Sequence, residues 1–117
     1  MKRSSRVPII ILALLLLASC GKQYEAKGLV KDFVKQHAAE EVDISSFSKL
    51  DSTRVISDSL IQVFRSQKDE LFDSPIDYVE RKGQTLYFIR MRYKKDTLEL
   101  SRTFYFNPDL EGIVAFK

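Results

Sequence analysis

Few side chains in this chain have types and spacing that could do chemistry. The sequence holds one histidine, His37, and one cysteine, Cys20. His37 and Glu40 form an H-x-x-E spacing, which puts two candidate ligands on one helical face. A metal site normally needs three or four ligands, and no further histidine or free thiol completes this set. We therefore expect no metal site and no cofactor, and interpret His37 as a residue favoured by the dipole near a helix C-terminus.

Two groups of oxygen-bearing side chains resemble functional sites. Residues 107–112, NPDLEG, have the oxygen spacing and the glycine with which calcium loops begin. Asn, Pro, Asp and Gly are also the usual residues of turns, so a turn between two strands is the simpler interpretation. Four carboxylates, which could act in pairs on glycosides, straddle a helix end and a proline turn, where we expect a solvated surface: Asp69, Glu70, Asp73 and Asp77.

The sequence offers no set of residues for nucleophilic catalysis. It contains no G-x-S-x-G motif, and a serine–histidine pair could involve only His37. A glycine-rich phosphate loop is also missing from the sequence. We therefore predict a protein that is not an enzyme.

The N-terminus has the layout of an export signal. A basic start is followed by an apolar run over residues 7–17 and by the small residues Ala18 and Ser19, directly before Cys20. Spanning the hydrocarbon of a bilayer takes about twenty residues of helix, and this run has only about half of that. The sequence thus predicts a cleaved signal peptide over residues 1–19.

The four residues Leu17-Ala18-Ser19-Cys20 resemble the lipobox of bacterial lipoproteins. The resemblance implies cleavage between Ser19 and Cys20, a diacylglyceryl group on the Cys20 thiol, and an acyl chain such as palmitate on the freed amine. It implies a protein anchored in the cell envelope and facing the periplasm. Gly21 differs from the aspartate that retains some lipoproteins at the inner membrane, so the expected location is the outer membrane of a Gram-negative bacterium.

Cleavage would change the charge of the chain. The full sequence has 19 basic and 16 acidic side chains, and loss of residues 1–19 removes three basic ones, which leaves 16 of each sign. A chain without net charge carries no general electrostatic attraction for nucleic acid. We expect membrane binding through the N-terminal acyl chains.

The remaining sequence predicts one small α+β domain. Residues 20–24 should form the lipidated anchor and a short linker, and residues 25–117 the domain. Apolar spacing predicts a helix over residues 25–39 and a second over 58–72 with Ser57 or Asp58 as its N-cap. An irregular strand is expected over residues 46–56.

The C-terminal half predicts an antiparallel meander of about four strands, ending with residues 113–116. Two-residue turns at Lys82-Gly83 and Lys95-Asp96 would both place Tyr87, Ile89, Met91 and Tyr93 on one apolar face. We expect the helices to pack against one face of this sheet. The element order resembles that of cystatin-like and NTF2-like domains. The length of the chain and its element order also resemble those of small Bacteroidota lipoproteins of unknown function.

The second face of the sheet is the candidate binding surface. If uncovered, it would present a patch of the kind that marks a partner site, made of Leu86, Phe88, Arg90, Arg92 and Tyr105. Burial under a helix or in a homodimer would instead make its apolar half part of a core.

These observations favour a non-enzymatic, lipid-anchored module that binds a protein or a small ligand at the cell envelope. One alternative is an NTF2-like pocket or enzyme between sheet and helix, lined by Tyr78, Tyr87, Arg90 or Asp77. Another is a purely structural envelope component.

Overall fold

The chain folds into two helices and five strands. The computed structural model describes the backbone of residues 7–117 and the side chains of residues 21–117. The first six residues of the predicted signal peptide and the side chains at its cleavage site, Ser19 and Cys20, lie outside the described residues. The elements are α1 (Val7–His37), β1 (Asp43–Phe47), β2 (Asp51–Thr53), α2 (Asp58–Ser66), β3 (Leu86–Lys95), β4 (Leu98–Phe106) and β5 (Ile113–Phe116).

The five strands form one antiparallel sheet, which confirms the α+β class. Its order is β1-β3-β4-β5, and β2 pairs with the same edge of β3 as β1 does. Thr53 of β2 pairs with Leu86 at the start of β3, whereas Asp43 of β1 pairs with Lys94 near its end. The predicted strand over residues 46–56 is thus two short strands that divide one edge of β3 between them.

The two helices lie on opposite faces of the sheet, which corrects the expectation that both pack against one face. Helix α1 buries Val30, Phe33 and Val34 against the first face, in one cluster with Ile89 and Phe104. Helix α2 forms a separate cluster on the second face, which contains Ile61, Phe64, Leu86, Tyr105 and Ala115.

The first face carries the main core. Ile89, Met91 and Tyr93 are buried there, as the alternation of β3 predicted. The ring of Phe33 meets Phe104 edge-on, with 5.6 Å between centroids. Further edge-on pairs join Phe33 to Phe72 and Phe116. Each fully buried aromatic side chain contributes about 1.5–3 kcal/mol, so this aromatic group holds α1 on the sheet.

The β3–β4 hairpin closes one residue later than predicted. Lys95 pairs with Leu98 and Tyr93 pairs with Leu100, so the turn residues are Asp96 and Thr97. The predicted turn at Lys95-Asp96 implies a register in which Tyr93 faces Leu98, and this register is wrong by two residues. Asp96 has a positive φ of 57°, a conformation that aspartate tolerates better than lysine does. An error of two residues leaves every side chain on its predicted face.

The other predicted hairpin does not form. Lys82 and Gly83 both have positive φ values, so the turn is where the sequence placed it. The residues before it do not pair with β3, because β1 and β2 occupy that edge. Instead the Val79 amide donates to the Ile113 carbonyl of β5 at 3.0 Å. At Val79 the chain thus runs beside β5, at the opposite edge of the sheet.

The helix boundaries also differ from the sequence expectation. Residues 21–24, expected as a linker, continue helix α1. Helix α2 begins at the predicted N-cap, where the Ser57 side chain accepts from the Leu60 amide, but it ends at Ser66. Gln67 leaves the helical conformation, and Phe72 bridges to Ala38 across the end of α1. In the described part of the chain, no helix is long and apolar enough to cross a membrane.

Candidate functional site

Helix α2 covers the apolar half of the second sheet face. Leu86 and Tyr105 lie almost fully buried beneath it. Phe64 stacks on Tyr105 with 5.8 Å between ring centroids and 11° between planes. Two of the five predicted binding residues are therefore core residues, as in the alternative in which a helix buries this half of the face.

The other half of the second face remains open. Arg90 and Arg92 of β3 are exposed and lie opposite Thr103 and Ser101 of β4. Side chains two residues apart on a strand share one face and lie about 7 Å apart. We call the surface formed by these four residues and the neighbouring Lys117 the arginine face.

Lys117 extends the arginine face across a third strand. Its backbone exchanges two hydrogen bonds with Thr103, of 2.8 and 3.0 Å. Arg90, Thr103 and Lys117 therefore form one row across the sheet, next to the row of Arg92 and Ser101. The Lys117 ammonium lies 5.6 Å from the centroid of the Phe64 ring, so the row ends against α2.

The two arginines of the arginine face have no acidic partner among the described residues. The ion pairs in the described part of the chain involve other residues: they join Arg81 to Asp58, Lys82 to Glu111 and Arg102 to Asp69. On the arginine side of the sheet, Glu99 pairs across the strands with Lys94, and its carboxylate accepts from Ser45 at 3.3 Å. The guanidinium groups of Arg90 and Arg92 are thus available to an external anion.

The predicted residue Phe88 lies at the border between the open and covered halves. It is half-buried, and its ring centroid lies 6.1 Å from that of Tyr105. Of the predicted binding residues, the structure thus brings Phe88, Arg90 and Arg92 together at one accessible surface. Guanidinium groups bind carboxylates and phosphates through paired hydrogen bonds, and the strands hold these groups at a set spacing.

A cleft on the other side of the sheet is the second candidate. It encloses about 630 Å³ between the end of α2 and the aromatic rings of Phe72, Tyr78 and Phe116. The Arg65 guanidinium donates to the carbonyls of Val114 and Val79, both at 2.8 Å, and so is engaged by the backbone.

The chemistry of this cleft is limited. Burial raises the pKa of Tyr78, with the Arg65 charge acting in the opposite direction, so the phenol stays protonated at neutral pH. The other residues expected in such a pocket lie elsewhere: Tyr87 contacts Lys22, and Arg90 is on the arginine face. Tyr87 and Arg90 are therefore not brought together with Tyr78 in this cleft.

His37 packs as an aromatic residue. Its ring centroid lies 4.7 Å from that of Phe33, and its carbonyl accepts from the Asp73 amide at 2.8 Å. No group of three potential metal ligands occurs among the residues that the structure describes. In the predicted turn at residues 107–112, buried Asn107 donates to the Glu80 carbonyl and accepts from the Glu111 amide.

One polar pair was not foreseen from the sequence. Asp69 accepts from Arg102 through both carboxylate oxygens, at 2.6 and 3.2 Å, and the Arg102 guanidinium lies 5.6 Å from the centre of the Tyr93 ring. Burial opposes ionisation of Asp69, but the hydrogen bonds from Arg102 and the Leu71 amide outweigh it and lower its pKa. An arginine at an inward position of β4 was the one signal in the sequence.

Comparison with protein-family models, with curated proteins and with solved structures finds no match to this chain.

Proposed function

We propose that this protein is a non-enzymatic, lipid-anchored module of the cell envelope, which binds an acidic surface of a partner protein through the arginine face. The observation that carries the proposal is the pair of exposed guanidinium groups of Arg90 and Arg92, which have no acidic partner among the described residues. Exposed guanidinium groups can bind carboxylates through paired hydrogen bonds, so such a pair is a candidate for recognition.

The anchor is proposed at Cys20, after cleavage behind Ser19. Support comes from the basic start, the short apolar run and the small residues before the cysteine. Two or more acyl chains give stable anchoring where one does not. We propose the outer membrane of a Gram-negative bacterium as the location of the protein.

A partner protein fits the arginine face better than a small ligand does. Small ligands bind in concave sites that bury most of their surface, whereas the arginine face is an exposed sheet surface whose charges come from β3 and from Lys117, directly after β5. A homodimer through this face is disfavoured because a twofold axis presses the same patch against itself, which would bring the arginines of both copies together.

The test is capture of partners from the native envelope by chemical crosslinking, with the Arg90→Glu/Arg92→Glu double variant. We expect at least a tenfold loss of every specifically captured protein, because each glutamate would repel an acidic partner. Lys31→Glu/Lys68→Glu is the matched control, since both lysines are exposed and lie outside the arginine face.

The control variant should capture partners as the original chain does. Capture should also weaken as salt is raised from 0.05 to about 0.5 M, because salt screens exposed charges. Equal capture by both double variants, with both folded by circular dichroism, would refute recognition through the arginine face.

A further inference from the structure

Helix α1 connects the proposed lipid site to the folded domain without a break. The helix spans Val7–His37 and so includes residue 20. Only three residues later, the Gln23 side chain donates to the Ser48 carbonyl at 3.1 Å and accepts from the Leu50 amide. Lys22 contacts the Tyr87 hydroxyl at 3.4 Å. The domain therefore begins about 5 Å along the helix axis from residue 20, at 1.5 Å per residue.

One end of the sheet lies on the same side of the domain as residue 20. Lys22 contacts Tyr87 near the start of β3, whereas Phe33, later in α1, packs on Phe104 and Phe72. Strand β2 leaves the sheet at this end, because Thr53 pairs with Leu86, the first residue of β3. The loop that follows β2 thus extends beyond the sheet in the direction of residue 20.

The two most exposed large apolar side chains among the described residues are found at this end. Val55, in the loop after β2, is 86% exposed, and Tyr24 of α1 is 82% exposed. Three cations accompany them without an ion pair in the described part of the chain: Lys22, Lys49 and Arg54. Apolar tips accompanied by lysine and arginine are typical of segments that lie in a membrane interface, and tyrosine is enriched at that depth.

We propose that this end of the domain rests on the bilayer to which Cys20 attaches the chain, and we call it the membrane seat. Val55 and Tyr24 enter the headgroup region, and Lys22, Lys49 and Arg54 contact lipid phosphates. The inference rests on the proposed anchor. It names the bilayer as occupant because an acylated residue 20 lies at headgroup level, so a continuous helix brings the membrane seat there as well.

The seat can be tested with a single fluorescent residue, because the sequence contains no tryptophan. The Val55→Trp variant of the full acylated chain is inserted into vesicles of phosphatidylethanolamine and phosphatidylglycerol with brominated acyl chains, which quench tryptophan on contact. Leu98→Trp is the matched control, because Leu98 is also exposed, at 61%, and lies at the β3–β4 turn, the opposite end of the sheet.

We expect at least twofold quenching and a blue shift for Val55→Trp and neither for Leu98→Trp. Replacing Lys49 and Arg54 by glutamate in the Val55→Trp chain should reduce the quenching. Flotation of the vesicles reports the anchor separately. If the vesicles carry the protein but neither tryptophan is quenched, or both are quenched equally, the membrane seat is refuted. The proposed lipid anchor is not affected by that result. Protein that lacks acyl chains and does not float would overturn both proposals.

Discussion

At the scale of single residues, Cys20 is the proposed site of the membrane anchor. We expect Cys20→Ser to abolish incorporation of labelled palmitate, because the thiol proposed to receive the lipid is lost, and to move the protein out of the membrane fraction. The measurement is metabolic labelling followed by membrane fractionation. The control is Ser45→Ala, an exposed position on β1, which should leave labelling unchanged. Palmitate labelling that persists in Cys20→Ser would contradict the anchor.

Asp69 and Arg102 form the ion pair that is best shielded from water among the described residues. The Asp69 side chain is 14% exposed, whereas Asp58, in the ion pair with Arg81, is 87% exposed. We expect Asp69→Asn to lower the free energy of unfolding by about 1–3 kcal/mol, because the partly buried guanidinium loses a charged partner. Asp58→Asn should cost less than about 1 kcal/mol, as exposed pairs do. Urea unfolding compares the two, and equal losses would contradict this ranking.

The same pair makes stability depend on pH. The pKa of Asp69 is lowered in the folded state from its ordinary value of 3.8. The unfolded chain therefore binds the proton more readily, so the contribution is fully present above that value and is lost as pH falls through the folded pKa. Unfolding at pH 7 and pH 3 should show a smaller pH dependence in Asp69→Asn than in the original chain. An unchanged dependence would assign the acid sensitivity to other groups.

At the scale of elements, the turn between β3 and β4 depends on Asp96. Its φ of 57° is unfavourable for branched side chains, by about 1–2 kcal/mol. We expect Asp96→Val to lower the melting temperature by several degrees, and Asp96→Gly to maintain or raise it. Thr97→Val is the control, because Thr97 does not have a positive φ. Equal melting temperatures for the two valine variants would show that the backbone conformation of Asp96 is not what limits stability.

The sheet also shows which features of an element a sequence can predict. The alternation of β3 correctly assigned Ile89, Met91 and Tyr93 to the core, because burial depends on face and a two-residue error leaves the face unchanged. The partner of each strand was harder to predict. Val79 bonds to β5 rather than β3 because β1 and β2, which are distant in sequence, take the edge that a local hairpin would have used.

The candidate site was predictable in part for the same reason. The sequence placed Phe88, Arg90 and Arg92 on the second face, where the structure has them. It could not tell that α2 covers Leu86 and Tyr105, because the apolar stripe of α2 fits either face of the sheet.

At the scale of the whole molecule, the net charge does not reveal the local positive charge of the arginine face. The proposed mature chain has equal numbers of basic and acidic residues, yet Arg90, Arg92 and Lys117 lie together on one half of one sheet face. A global count excludes a general attraction for polyanions. It says nothing about a local surface that strand pairing assembles from three separate parts of the chain.

The continuity of α1 has a mechanical consequence for the proposed anchored protein. Force applied to a flexible tether would first straighten the tether. Here residues 21–24 are helical and Gln23 is bound to the loop after β1, so tension from the lipid passes directly into the helix that contributes Phe33 to the aromatic core. Pulling the protein from its membrane would therefore apply force to the aromatic core. A partner that pulls on the arginine face would transmit that force through the domain and α1 to the lipid anchor.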